Sequence, residues 1–247
     1  MMTSEDAGGQ NETDITATIA GATSLRGDMP TYHFHIADDH PLFRNALLAV
    51  IKQHYPDAVV DQSTDLDSTI TRLGENDEID LLLLDLNMPG SQDLFGLITI
   101  REKFPGIPVA IISAMEESGT ISRAMGHGAS GYIPKSRSQD EIHDAISALL
   151  TGNRWVPDEF QSNIRPVSSE EKDLATRIAT LTPQQYRVLC YLREGWLNKQ
   201  IGYELGVTEA TIKAHITAIF RKLGVSNRTQ AVIMLGKMSL VEEPPAG

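Results

Sequence analysis

The sequence predicts two units in tandem: an α/β unit on a five-stranded, doubly wound parallel sheet, then a smaller all-α four-helix unit. Three observations carry this. Short apolar runs alternate with amphipathic stretches five times between residues 32 and 150. Several of those runs end in a charged or hydroxyl side chain: Asp38-Asp39 after Phe34, Ile36 and Ala37, Asp85 after Leu81-Leu82-Leu83-Leu84, Ser113 after Val109-Ala110-Ile111-Ile112, and Lys135 after a further run. The carboxyl edge of a parallel sheet is where such folds keep their chemistry. From Thr182 onward the punctuation changes to that of closely spaced helix caps.

Taken in order, residues 1–30 are rich in Thr, Gly, Ala, Asp and Glu without aromatic residues, and read as a mobile extension. Residues 31–152 form the α/β unit, with strands near 33–38, 58–61, 79–85, 107–113 and 129–133. Helices are predicted at 41–54, 66–74, 93–103, 117–126 and 138–151. Residues 153–179, with Pro157, Pro166 and paired serines, read as an interdomain connection. Residues 180–239 form the helical unit, followed by a tail over 240–247. Thr182-Pro183-Gln184-Gln185 has the pattern of a capping box with proline at the first helical position. Gly195 ends that helix, Asn198 caps a second through Leu205, and Gly206 turns the chain. Thr208 caps a third helix to Leu223, Gly224 follows it, and a fourth runs over 227–237.

A chain of 247 residues is long for one core and sufficient for two. Its net charge of -12 is unevenly spread: residues 32–155 hold nine Lys and Arg against eighteen Asp and Glu, residues 180–238 eight against three. The basic segment is the one expected to meet a polyanion. Opposite charges also predict that the helical unit is drawn onto its acidic neighbour, hiding the basic face. One cysteine, Cys190, excludes a disulfide framework and reads as a core residue. With neither an N-terminal signal nor an apolar stretch of membrane-spanning length, a cytoplasmic location without membrane contact is expected.

The carboxylates Asp38, Asp39 and Asp85 repel one another, so they favour a divalent cation, and hard Mg²⁺ prefers such oxygen ligands. Phosphoryl transfer to a carboxylate needs that cation, Lys135 can pair with the transferred group, Ser113 can reach one of its oxygens, and Asn87 can offer its backbone carbonyl to the metal. Singly, each is as well explained as a turn, cap or solvated charge. Their order at the ends of several strands is what favours a site. On the predicted helix 208–223, Ile212, Ile216, Ile219 and Leu223 share a stripe that faces inward. The other face presents Ala210, Ala214, Thr217 and Arg221 with Lys213 at its flank, a mixture that suits a major groove.

Residues 33–151, through His35-Ile36-Ala37-Asp38-Asp39-His40, Leu84-Asp85-Leu86-Asn87-Met88-Pro89-Gly90, Ile112-Ser113-Ala114 and Gly131-Tyr132-Ile133-Pro134-Lys135-Ser136, resemble the receiver domain of response regulators, a flavodoxin-like fold. The resemblance implies that Asp85 accepts a phosphoryl group from a sensor histidine kinase. Asp38, Asp39 and the Asn87 main-chain oxygen would join Asp85 around Mg²⁺, with Ser113 and Tyr132 as a switch pair. The segment from Ser91 to Gly96 departs from the family pattern, in which glycine more often follows the Met-Pro-Gly turn sooner. Residues 181–232, through Leu181-Thr182-Pro183, Glu194-Gly195, Asn198-Lys199-Gln200-Ile201, Leu205-Gly206-Val207, Thr211-Ile212-Lys213-Ala214-His215, Arg221-Lys222-Leu223-Gly224-Val225 and Arg228-Thr229-Gln230-Ala231, resemble the LuxR-type helix-turn-helix domain. By that resemblance Lys213, Ala214 and Thr217 face bases, and Thr208, Thr211, Lys199, Arg221 and Lys222 face the DNA backbone. Gln185 stands where the family more often has glutamate.

Both together resemble the NarL/FixJ type of response regulator. This implies a transcription regulator acting on promoter DNA as a homodimer, through Val232 and Leu235 of the last helix, and working with RNA polymerase. It implies no enzyme beyond the receiver's own phosphorylation and dephosphorylation. The alternative is a phosphorylation-independent transcription factor whose receiver is a protein-interaction module. A haloacid-dehalogenase-type phosphatase also forms an aspartyl phosphate, but needs an acid two positions after its nucleophile, where Asn87 stands here.

Overall fold

Residues 31–236 apart from Asp77 are described by a computed structural model. The extension over 1–30 and the tail over 240–247 lie outside the described residues. The α/β part comprises β1 (His33–Ala37), α1 (Pro41–His54), β2 (Val59–Ser63), α2 (Leu66–Glu75), β3 (Leu81–Asp85), α3 (Phe95–Lys103), β4 (Val109–Ser113), α4 (Ser118–Gly126), β5 (Gly131–Pro134) and α5 (Gln139–Leu150). The strands pair in parallel in the order β2-β1-β3-β4-β5. Every residue of β3 is buried, as a central strand covered on both faces requires. Its side chains alternate: Leu82 and Leu84 join the core that includes Leu66, Leu97 and Ile121, whereas Leu81 and Leu83 join the core with Leu47, Ile51 and Ile146.

Most element boundaries agree with the sequence reading to within two residues, and the differences have local causes. β3 begins at Leu81 because Asp80 acts as a clasp, its amide donating to the His33 carbonyl at 2.8 Å while its carboxylate accepts from the His33 amide at 2.8 Å. Helix α3 starts at Phe95 rather than 93 because Asp93 adopts a left-handed φ of 54°, which helical backbone cannot continue. In the atypical segment before it, Ser91 is fully buried, and a Cβ at Gly96 would come within 2.0 Å of Ser91 Oγ. The late glycine therefore makes room for the tucked serine.

The connection after residue 152 is more structured than its composition implied. Trp155 pairs with the outer strand, its carbonyl accepting from the Tyr132 amide at 2.9 Å. Two helices follow, α6 (Asp158–Gln161) and α7 (Ser169–Ala179), and Leu174, Ala175, Ile178 and Ala179 of α7 are buried. The helical part comprises α8 (Pro183–Arg193), α9 (Asn198–Glu204), α10 (Glu209–Leu223) and α11 (Arg228–Gly236). The Thr182 hydroxyl accepts from the Gln185 amide at 3.2 Å, and Gln185 Oε1 accepts from the Thr182 amide at 3.1 Å, closing the expected capping box. Asn198 does not cap α9: it is the first helical residue, Leu197 holds the cap position, and Gln200 Oε1 accepts the Leu197 amide at 2.8 Å. Thr208 caps α10, which Gly224 ends at a φ of 69°.

The two parts meet through α7, which lies against α3 on one side and α10 on the other, and through α8. Tyr186 of α8 stacks on Phe95 of α3 with ring centroids 4.0 Å apart and planes 6° off parallel, and both rings are buried. Beside them, Asp93 accepts from Arg193 at 3.0 Å and from the Tyr186 hydroxyl at 3.4 Å.

Beneath the sheet's carboxyl edge runs a buried polar chain. His35 Nε2 lies 2.8 Å from Ser63 Oγ, Ser63 Oγ lies 2.7 Å from Thr69 Oγ1, and Thr69 donates to the Asp65 carbonyl at 2.7 Å. The Ser63 carbonyl in turn accepts from the Asp38 amide at 3.1 Å. Burial lowers the His35 pKa to about 4 from its ordinary 6.5, because a charged imidazole has no water there. The folded state thus refuses a proton that the unfolded chain accepts, so this contribution is intact above pH 6.5 and is lost as pH falls toward 4. Its full size is about 3 kcal/mol. In denaturant titrations, wild type should lose stability relative to His35→Gln as pH falls from 6.5 to 4. Parallel curves across that range would remove His35 as the cause.

Candidate functional site

The switch point of strand order lies between β1 and β3, and the ladder sets Ala37 opposite Leu84, so Asp38 and Asp85 emerge side by side. On the other flank Asp85 is opposite Ile112 and Ser113 opposite Pro134, which brings Ser113 and Lys135 to the same rim. Asp38 and Asp85 are buried, Asp39 is half-buried and Asn87 exposed. Lys135 Nζ lies 2.8 Å from Asp38 Oδ2 and 3.1 Å from Asp85 Oδ2, bridging the two buried carboxylates. The Asn87 amide donates to Asp85 Oδ1 at 3.3 Å. Burial raises the Asp85 pKa above the ordinary carboxylate value. Lys135 opposes that shift, and the neighbouring Asp38 charge adds to it.

The sequence motif assigns His40 no role, but the structure brings it to the acidic rim. Its Nδ1 sits 2.8 Å from Asp39 Oδ1, 3.2 Å from Asp38 Oδ1 and 3.7 Å from Asp85 Oδ2. Its position directly after the acidic pair was the available signal. One ligand atom from each of Asp38, Asp39, His40 and Asp85 falls within a span of 4.8 Å. Three carboxylates against one ammonium leave surplus negative charge on hard oxygen donors, a set that fits a divalent cation of the Mg²⁺ kind.

Ser113 is fully buried, and its Oγ accepts from the Met115 amide at 3.2 Å. The Tyr132 ring is buried with its hydroxyl donating to the Met115 carbonyl at 2.7 Å, and burial raises its pKa above the ordinary phenol value. Both members of the implied switch pair thus grip one residue of the loop that begins α4.

In the helical part, Ile212, Ile219 and Leu223 are buried and Ile216 is partly so, as the stripe implied. Lys199, Thr208, Lys213, Ala214, Thr217 and Arg221 are exposed, and Thr211 is partly exposed. The basic face is therefore not covered by the acidic domain, contrary to the charge-based expectation. The domains attract through Asp93 and Arg193, away from α10. Lys213 pairs with Glu209 at 2.8 Å in an exposed i,i+4 bridge that is weak in water. Lys222 turns back instead, donating to the Thr180 carbonyl at 2.6 Å and to Gln185 Oε1 at 2.7 Å, so the glutamine in the family's glutamate position serves both the cap and this lysine. On α11, Leu235 is buried in its own domain's core and Val232 is partly buried, while Ile233 is the exposed apolar side chain. Among the described residues, no helix is long and apolar enough to cross a membrane.

Comparison with known proteins agrees with both halves. Residues 34–147 match the response regulator receiver domain, and residues 179–235 match the LuxR family of bacterial regulatory proteins. The chain is 43% identical over 210 residues to the glycerol metabolism activator of Pseudomonas putida, covering 83% of this chain and 95% of that protein. It is 31% identical over 201 residues to the nitrate/nitrite response regulator NarP of Escherichia coli K12, covering 81% and 92% respectively. Among solved structures, RcsB from Salmonella enterica serovar Typhimurium bound to the rprA promoter has the same fold, with a TM-score of 0.51 at 22% identity over 85% of this chain and 100% of that one. The chain belongs to the NarL/FixJ-type response regulators, in which a receiver domain is joined to a LuxR-type DNA-binding domain.

Proposed function

We propose that Asp85 is the phosphoacceptor of this two-component transcription regulator and that α10 reads promoter DNA. The carrying observation is the bridging of buried Asp38 and Asp85 by Lys135. A carboxylate oxygen of Asp85 attacks the phosphorus of a phosphohistidine on a sensor kinase. A P–O bond forms as the P–N bond breaks, and the imidazole leaves with its electron pair. Asp38, Asp39, Asp85 and the Asn87 carbonyl would hold Mg²⁺, which would supply charge neutralisation for the transferring oxygens. Lys135 moves its ammonium to the phosphoryl oxygens, Ser113 offers its hydroxyl to another, and Tyr132 holds the loop that Ser113 leaves. The receiver assists only this transfer and the later hydrolysis.

On DNA, Lys213, Ala214 and Thr217 meet base edges, and Thr208, Thr211, Lys199 and Arg221 meet phosphates. Lys222 joins them when it exchanges its Thr180 and Gln185 partners for a phosphate. Two copies pair through α11 around Val232, with Leu235 supporting that helix from within. The regulator works in the cytoplasm with RNA polymerase.

Incubation with acetyl phosphate and Mg²⁺ should place one phosphoryl group on wild type and none on Asp85→Asn, read by intact-protein mass spectrometry. Labelling of the Asn variant equal to wild type would sink the assignment. Mg²⁺ at a hundred times its Kd should stabilise wild type by about 2.7 kcal/mol, and Asp39→Ala should lose most of that increment in a thermal melt. An unchanged increment would remove Asp39 from the ligand set.

On a specific site Lys213→Ala should lose roughly 1 to 3 kcal/mol and much less on random DNA, whereas Arg221→Ala should weaken both alike and flatten the salt dependence. Equal losses on both DNAs for Lys213→Ala, measured by fluorescence anisotropy, would make it a phosphate reader.

A further inference from the structure

Helix α4 is fastened along its length to the chain that leads into the DNA-binding domain. Ser118, Ser122 and Gly126 recur every fourth residue and so share one stripe. Asn163 Nδ2 donates to Ser118 Oγ at 3.3 Å, and the Arg165 amide donates to Ser122 Oγ at 2.9 Å. Val167 lies so close to Gly126 that a Cβ there would come 2.2 Å from Val167 Cγ2. Four helical residues rise about 6 Å and two extended ones about 6.6 Å, so residues 163–167 keep step with the stripe. This strap ends at Ser168, the cap of α7. The end of α4 then grips α7 directly, with Glu171 Oε1 lying 3.1 Å from His127 Nε2 and 3.5 Å from Arg123 Nε.

The front of α4 is anchored by the switch pair. Ser113 Oγ holds the Met115 amide, and the Tyr132 hydroxyl holds the Met115 carbonyl. A Ser113 hydroxyl that moves to a phosphoryl group on Asp85 gives up the first of these bonds and leaves the loop that positions α4 held by Tyr132 alone. The helix then carries the strap, and the strap carries α7, which packs on α10.

We propose that α4 and the strap over 163–167 form a mechanical link that passes phosphorylation of Asp85 to the DNA-binding domain. The link rests on Asp85 being the phosphoacceptor, and phosphoryl content is therefore measured in every sample. In full-length wild type treated with acetyl phosphate and Mg²⁺, amide exchange over 160–179 should rise and affinity for a specific DNA should change by roughly 5- to 150-fold, the usual range of coupling between sites. Gly126→Ala, whose new methyl displaces Val167, should be phosphorylated as wild type, show raised exchange over 160–179 before phosphorylation, and bring the affinity ratio close to one. Adding Val167→Ala to that variant removes the clash and should restore the ratio. Ser122→Ala, which deletes the acceptor for the Arg165 amide and adds no volume, should lower the ratio in the same direction. Exchange over 160–179 that is unmoved in phosphorylated wild type, or a wild-type affinity ratio in Gly126→Ala, would overturn the link. Wild type without a phosphoryl group on Asp85 would overturn the phosphoacceptor reading, and the link with it.

Discussion

The crowding of three carboxylates at one edge of an apolar sheet is the constraint from which the rest of the receiver follows. Like charges in a poorly solvated rim destabilise the fold unless a cation offsets them. Lys135 supplies part of that offset by touching two of the three, and it can do so only because β5 ends at the same height as β1 and β3. The parallel ladder therefore sets electrostatics as much as shape. The buried chain from His35 through Ser63 steadies the Asp38 backbone from below with neutral groups, adding no further charge to the rim.

A second dependence runs between the domains. The loop that leaves Asp85 returns to the sheet by way of Ser91 and then presents Asp93 and Phe95 to α8. That short path places the aromatic stack of Phe95 and Tyr186 ten residues from the proposed phosphoacceptor. The interface is partly a core of its own, since Tyr186 and Cys190 are both buried there and burial pushes the Cys190 pKa up to about 12. A thiol in that state is a packing group and not a redox sensor.

The receiver was legible in the sequence because a buried parallel strand is written as an apolar run, and Asp85, Asp38 and Lys135 each stand directly after one. Caps were legible for the same kind of reason: Thr182 and Thr208 have side chains that bond their own helices. Asn198 misled because a good capping residue one position late looks the same in one dimension as one on time. His40 was harder to read because its one signal, a place directly after two aspartates, is equally that of a solvated histidine, and only the turn of the chain sets its Nδ1 against the carboxylates. Helix α7 was hidden differently. Its apolar residues are few and lie among charged ones, and their burial comes from surfaces on α3 and α10 that are distant in sequence.

Helix α7 also determines where this protein divides. Leu174, Ala175, Ile178 and Ala179 complete packing on both neighbours at once, so the helix is shared property and not a spacer. A hybrid regulator joined at the start of α8, near Thr182, would pair a native α7 with a foreign α10 or a foreign α7 with the native α10. Either graft leaves an unmatched apolar seam. A junction that respects the packing carries the receiver, the strap and the helical domain together, which makes the two recognisable domains a single unit of exchange.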